Sequence, residues 1–158
     1  MNMPREKSKD ALKGFGLTLV KQAEKGENPA MDVPVRALSN VVFDQKSRTI
    51  TLGDKSAKRY FLNVAHVRKF VQTVEAAATA KEMIEENKHL SLRQTFYRMR
   101  RTIPGTNIDI VDEQEESNKA IEDLELLTNL SREQLHINAN KMGSVAGKVI
   151  IKDKGDTV

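Results

Sequence analysis

Cysteine and tryptophan are both absent from this chain. Without cysteine there is no disulfide framework and no thiolate metal site. That composition is compatible with a reducing compartment, and the expected localisation is cytoplasmic. Long apolar runs are missing too. No stretch approaches the ~20 residues that a membrane span needs, and charges stand where a signal peptide would carry its apolar segment. Hydrophobic residues make up 39% and charged residues 30% of the 158, which fits a soluble globular protein of one ordinary domain plus an appendage. The three histidines, His66, His89 and His136, lie far apart with no ligand spacing, which argues against a zinc site. No metal ligands are assigned. Asp109, Asp112 and Glu113 could hold a cation, but acids at a helix start are better explained by the helix macrodipole. Gly143 and Gly147 are better read as hairpin and strand glycines than as a phosphate loop.

What the chain does have is segregated charge. The net charge is +4 and the pI near 9.3, weak evidence for a polyanionic partner. Lys88, Arg93, Arg98, Arg100 and Arg101 follow one another with no acid between them. The next stretch reverses sign, with Asp109, Asp112, Glu113, Glu115, Glu116, Glu122, Asp123 and Glu125 against Lys119. One basic face for a polyanion would explain the pattern, and so would two ordinary solvated helix faces.

The first ten residues are polar and expected to be disordered. Leu12, Phe15, Leu19 and Ala23 then stand at helical spacing, weakened by Gly14 and Gly16. Residues 26–34, with Asn28-Pro29 and Val33-Pro34, read as a linker. Val41–Phe43, Thr49–Leu52 and Lys58–Leu62, separated by turn residues, read as a short antiparallel ribbon. Val64, Val67, Val71, Val74 and Ala78 repeat at three-to-four spacing and predict a long helix, widened by Phe70, Ala77 and Ile84, with a charged, exposed tail over residues 81–87. Ser91 and Gln94 form a capping-box pair opening a short helix that should end before Pro104-Gly105. A third helix is predicted over residues 113–130, with Ile121, Leu124, Leu127 and Leu130 as its apolar stripe. Residues 135–139 and 145–151 read as strands around a hairpin at Lys141–Ser144. Three helices and then a hairpin predict an α+β fold: a winged helix-turn-helix (CAP-like) domain with an N-terminal helix/strand extension.

Tyr97 is the candidate for chemistry. Leu92, Phe96 and Met99 share one face of the short helix and supply its buried side. Arg93, Tyr97 and Arg100 or Arg101 share an adjacent face. A tyrosine so placed is either a packing residue among surface arginines or a nucleophile. Phenols ionise near pH 10 and neighbouring cations lower that value, while an arginine one turn away can grip a phosphate through two N–H groups. With the core already supplied, the balance moves toward the nucleophile.

The run Ser91-Leu92-Arg93-Gln94-Thr95-Phe96-Tyr97 resembles the nucleophile helix of the type IIB DNA topoisomerases (A subunits of topoisomerase VI) and the related meiotic double-strand-break proteins. Those carry a Leu-Arg pair and then an aromatic-tyrosine pair, often Tyr-Tyr, whose second member is catalytic. Phe96 departs from the commoner first member. The likeness extends through Val35–Asn40, Phe61–Phe70, Arg101–Thr106, Asp112–Gln114, Ile121–Glu125 and Arg132–His136, from about Val33 to the end.

That resemblance implies an enzyme with Tyr97 as its catalytic residue. The tyrosine would join a 5′-phosphate and open a transient double-strand break through which a second duplex passes. The implied partners are duplex DNA, a second A-type chain and an ATPase B-type chain, in an A2B2 heterotetramer. The implied cofactors are Mg²⁺, held by a Toprim domain downstream of this chain, and ATP, bound by the ATPase partner. Candidate DNA contacts are Arg93, Arg98, Arg100, Arg101, and Lys141 and Lys148 on the hairpin. The expected organisation is a tail, weak helix and linker over 1–32, short strands over 33–62, a winged-helix domain over 63–152, and over 153–158 the start of a link to the Toprim domain. A chain lacking that domain is expected to be inactive alone. The competing reading is a non-catalytic winged-helix DNA-binding module. Such a module usually reads DNA with its third helix, whereas here that helix opens on acids that would repel phosphates.

Overall fold

The structure is a computed structural model that describes residues 3–46, 48–138, 152–153 and 156–157. Within them the chain is mixed α and β, as an α+β fold requires. Helix α1 spans Met3–Glu24. The polar N-terminus expected to be disordered is therefore helical from Met3 onward. Its anchor is tertiary: the Arg5 guanidinium donates to the backbone oxygens of Ile84 and Glu85 at 2.9 and 2.8 Å, at the carbonyl-rich end of the next long helix.

The segment expected to be a linker ends in a strand. Strand β1 (Ala30–Pro34) pairs antiparallel with β4 (Ser56–Tyr60), Ala30 opposite Tyr60 and Pro34 opposite Ser56. Between them, β2 (Val41–Asp44) and β3 (Thr49–Leu52) form their own antiparallel hairpin, exposed on both faces. The expected ribbon is thus correct for β2 and β3, but the third strand turns away to find β1. Asn40 joins the two ribbons. It is 3% exposed, and its side chain donates to the Val35 and Lys55 oxygens at 2.8 and 2.9 Å and accepts from the Lys55 amide at 3.1 Å. Gly53 lies so close that a Cβ there would stand 2.8 Å from Asn40 Oδ1.

Helix α2 (Val67–Glu86) is the spine. Its buried face keeps the predicted Phe70, Ala77 and Ile84 but not the valine stripe itself. Phe70, Thr73, Ala76, Ala77, Ala80, Met83 and Ile84 turn inward, whereas Val64 precedes the helix at 96% exposure and Val74 remains half-exposed. The rotation follows from neighbours on two sides: alanines and Thr73, which returns its hydroxyl to Lys69 O (2.9 Å) within the helix, permit close approach, and Gln72 donates across to Ile110 O (2.9 Å). Then come β5 (Leu90–Ser91), α3 (Leu92–Met99), α4 (Gln114–Thr128) and β6 (Ile137–Asn138). Strands β5 and β6 pair in parallel, tying the start of α3 to the chain beyond α4. The main core gathers Ala80 and Ile84 of α2, Phe96 and Met99 of α3, Ile121 and Leu124 of α4, and Val111, Leu130, Leu135 and Ile137. A smaller cluster of Met31, Val33 and Phe70 lies under β1, with Leu127 packed on it. A last strand pair, β7 (Lys152–Asp153) with β8 (Asp156–Thr157), is antiparallel. The predicted strand over residues 135–139 is observed as Ile137–Asn138, paired with β5; the predicted hairpin at Lys141–Ser144 and return strand over 145–151 lie outside the described residues, with Lys141 and Lys148.

Candidate functional site

Helix α3 begins as its sequence dictates. The Ser91 hydroxyl accepts from the Gln94 amide at 3.2 Å, and the Gln94 side chain accepts from the Ser91 amide at 2.8 Å. Two amides that the first turn leaves unbonded are thereby satisfied. The helix stops at Met99, earlier than Pro104-Gly105 alone required. Residues 101–110 instead fold back on themselves: Ile103 N reaches Ile108 O at 2.8 Å and Ile110 N reaches Arg101 O at 2.9 Å. Pro104 and Gly105 are the central residues of the tip, and Gly105 has the positive φ of 78° that a type II turn asks of its third residue.

The helix divides its faces cleanly. Thr95, Phe96 and Met99 are buried, whereas Tyr97 is 56% exposed. Among the candidate site residues, the structure brings Arg93 to Tyr97. Both Nε and Nη2 of Arg93 lie 3.4 Å from the phenol oxygen, and the guanidinium carbon stands 5.9 Å from the ring centroid. The Phe96 ring, tilted 50° at 5.2 Å, backs the tyrosine from the core side. The contact is a long, exposed pair of hydrogen bonds. An anion with stronger acceptors can readily take the place of the phenol on that fork.

The other arginines have different partners. Arg98 Nη2 is hydrogen-bonded to Glu82 Oε1 of α2. Arg101 reaches Glu75 Oε1 at 3.5 Å and Glu82 Oε2 at 3.9 Å. Arg100 reaches Asp109 at 3.4 Å. The basic block that is unopposed along the chain is therefore opposed in space. Sequence reasoning misses both acids: Glu82 lies in an α2 tail that reads simply as exposed, and Glu75 lies mid-helix among the apolar positions, where its partner is not visible. Their seven-residue separation, two helical turns, is the available signal. Burial pushes the Glu75 carboxyl above the ordinary range, against the pull of Arg101. Exposed ion pairs of this kind contribute about 0–1 kcal/mol each.

The acids of the following stretch are also engaged. Asp109 accepts from the Thr102 hydroxyl at 2.7 Å, which holds its carboxyl below the usual range, with Arg100 adding to the effect. Arg68 of α2 clamps Glu116 at 2.9 Å and Asp112 at 2.7 Å. The hydrogen bond from Arg68 leads the causes that bring Glu116 down to about 2. His89 and His136 do meet, but as parallel rings 4.2 Å apart, and the His136 Nδ1 proton goes to Lys88 O at 2.9 Å. Stacked rings do not aim their nitrogens at one point. Among the described residues no group of three or more His, Asp or Glu side chains could hold a metal. No helix among them is long and apolar enough to cross a membrane.

Comparison with known proteins places the chain among relatives by sequence. Residues 68–137, which contain it, match the family described as type IIB DNA topoisomerase. The chain is 45% identical over 92% of its length to the A chain of the type 2 DNA topoisomerase 6 of Pyrococcus horikoshii, covering 38% of that protein. It is 32% identical over 98% of its length to the corresponding protein of Saccharolobus shibatae, covering 42% of it. With the counterpart from Methanothermobacter thermautotrophicus the identity is 31% over 94% of this chain and 41% of the relative. The chain thus spans 38% to 42% of the length of these relatives.

Proposed function

Because this chain belongs to the type IIB DNA topoisomerase family, as a relative of its A subunits, we propose that it carries the DNA-cleaving nucleophile, Tyr97. The observation that carries the proposal is the pairing of an exposed phenol with Arg93 on a helix whose core positions are filled by Phe96 and Met99. Tyr97 Oη attacks a backbone phosphorus, a new P–Oη bond forms, and the P–O3′ bond breaks. The phenol proton is released and the departing 3′ oxygen takes one up as a hydroxyl. One phosphate ester replaces another, so the reverse attack by the 3′-hydroxyl reseals the strand with no external energy source. Arg93 binds a nonbridging phosphate oxygen through its two N–H groups, orients the phosphorus toward the phenol and offsets charge gathering there.

The winged-helix assignment belongs to this reading. Helices α2, α3 and α4 followed by β6 have the order of that domain, and the wing would fall in residues 139–151. The nucleophile helix α3, rather than α4, then faces DNA, since α4 opens on Glu113, Glu115 and Glu116. The cleavage reaction uses Mg²⁺ held by residues other than those the structure describes. Strand passage uses ATP on the B-type partner, with two chains of each type enclosing the duplex at the nucleoid.

The test uses the complete A-type polypeptide with its ATPase partner, supercoiled plasmid, Mg²⁺ and ATP, trapped by detergent and protease. The unmodified enzyme should leave protein on 5′ ends, and Tyr97→Phe should leave none while binding DNA equally well. Cleavage by Tyr97→Phe would exclude Tyr97 and turn attention to Tyr60. Failure of both to cleave while both bind would favour a non-catalytic DNA-binding module.

A further inference from the structure

Two carboxylates lie against the nucleophile helix, and the chemistry of cleavage uses neither. Glu75 and Glu82 stand two turns apart on α2 and face the C-terminal end of α3. Glu82 is bonded through Oε1 to Arg98 and lies 3.9 Å through Oε2 from Arg101. Glu75 Oε1, buried and with no hydrogen-bond partner, lies 3.5 Å from Arg101 Nε. The same Arg101 Nε donates to Arg98 O at 3.2 Å, so the network is continuous from α2 to the end of α3. Arg98 and Arg101 thus have carboxylates where a DNA phosphate would sit, whereas Arg93 spends its donors on the phenol.

We propose that Glu82, supported by Glu75, restrains the affinity of the nucleophile face for DNA by occupying Arg98 and Arg101. This rests on the reading of α3 as the DNA-facing helix. A free arginine that meets a phosphate releases one of the counterions condensed on DNA, and that release drives binding and gives it its salt dependence. An arginine already held by a carboxylate gains less. The displaced carboxylate must be resolvated and attracts a cation of its own, which cancels part of the release. The duplex therefore engages Arg98 and Arg101 only when its remaining contacts place phosphate close enough to displace Glu82. The partly exposed pairs are weak enough for that exchange to take place. Glu82 is a positioning residue acting through the arginines, and its effect is to favour a fully seated duplex over a loosely bound one.

The measurement is binding of a fluorescent duplex oligonucleotide by the 158-residue chain, followed by anisotropy across a salt series. Glu82→Gln should tighten binding several-fold at low salt and steepen the slope of log affinity against log salt by about 0.9 for each phosphate newly contacted. Glu75→Gln should move both in the same direction by less. Glu85→Gln is the charge-matched control on the same helix, since Glu85 pairs with Lys81 and not with α3. Replacing Arg98 and Arg101 by alanine in the Glu82→Gln chain should abolish the gain. If the unmodified chain binds but Glu82→Gln behaves as Glu85→Gln does, or binds more weakly, the restraint is wrong and the DNA-facing reading survives. If no variant binds in a salt-dependent way while each keeps its helical circular dichroism, the DNA-facing reading of α3 fails and the restraint with it.

Discussion

Arg93 and Tyr97 are one helical turn apart, and the two 3.4 Å contacts between them set what each substitution should do. In the role proposed for it, Arg93 is a phosphate donor at the reacting centre, and Arg93→Ala removes that donor. In the complete enzyme it should lower the rate of DNA cleavage by about 10²-fold or more, the scale of losing one preorganised transition-state donor. DNA affinity should fall less, with the salt slope shallower by about 0.9. Arg93→Lys keeps the charge and loses the fork, so it should recover affinity and little of the rate. Single-turnover cleavage beside equilibrium binding separates the two effects. Equal recovery of both by lysine would mean that Arg93 supplies charge alone. Arg93, Phe96 and Tyr97 are legible in the sequence because they lie within about one turn of each other, and a helix fixes that geometry locally. The partners of Arg98, Arg100 and Arg101 are not, because those acids reach the arginines only when α2 and the 101–110 turn pack against α3.

At the scale of elements, the same contrast runs through the fold. Helix α3 carries its own start signal in Ser91 and Gln94, and its boundary is readable. Helix α1 is underestimated because its first turns depend on Arg5 meeting the end of α2, a contact about eighty residues away in sequence. Strand β1 reads as a linker because its partner, β4, is likewise distant, and Pro29 and Pro34 bracket it. The valine stripe of α2 misleads because alanine and threonine, which carry little hydrophobic signal, form much of the face that packs closest. The joint between the two β-ribbons is open to test. Asn40→Ala removes three hydrogen bonds from a buried position and should cost about 1–3 kcal/mol. Gly53→Ala presses a methyl against an Asn40 side chain that those bonds hold in place, and should cost about 1–3 kcal/mol. Urea unfolding measures both. If the pair of substitutions together costs no more than Asn40→Ala alone, the clash acts through Asn40.

The clamp between α2 and α4 gives these elements a pH dependence. Glu116 ionises near 2 in the folded chain against an ordinary 4.5, chiefly through its hydrogen bond from Arg68. A depressed carboxyl stabilises the fold above its unfolded value, and that stabilisation is lost as pH falls from about 4.5 toward 2. Melting temperature should drop across that window, and Glu116→Gln should flatten the drop. The pair is partly exposed, so at neutral pH the substitution should cost only about 1 kcal/mol or less. An unchanged acid profile in Glu116→Gln would assign the loss to other carboxylates.

For the whole molecule, the question is which steps this length of chain can carry out. It holds the phenol, the fork of Arg93 and a basic surface partly restrained by its own acids. Around α3, the carboxylates of Asp112, Glu116, Asp109 and Glu75 are committed to Arg68, Arg100, Arg101 and Thr102, no group of three or more acids or histidines among the described residues could hold a metal, and the chain spans 38% to 42% of its relatives. Binding and chemistry should therefore separate. Alone with supercoiled plasmid and Mg²⁺, the chain should bind duplex with little sequence preference, because backbone contacts dominate, and leave the plasmid uncut. Extending it to the full length of its relatives as one continuous polypeptide should bring Tyr97-dependent cleavage. Tyr97-dependent nicking by the 158-residue chain alone, stopped by chelator, would show that Mg²⁺ can be recruited between this chain and the DNA phosphate itself. The carboxylates now paired with arginine would then have to exchange partners when DNA arrives, and Glu82→Gln would be expected to change the metal dependence as well as the affinity.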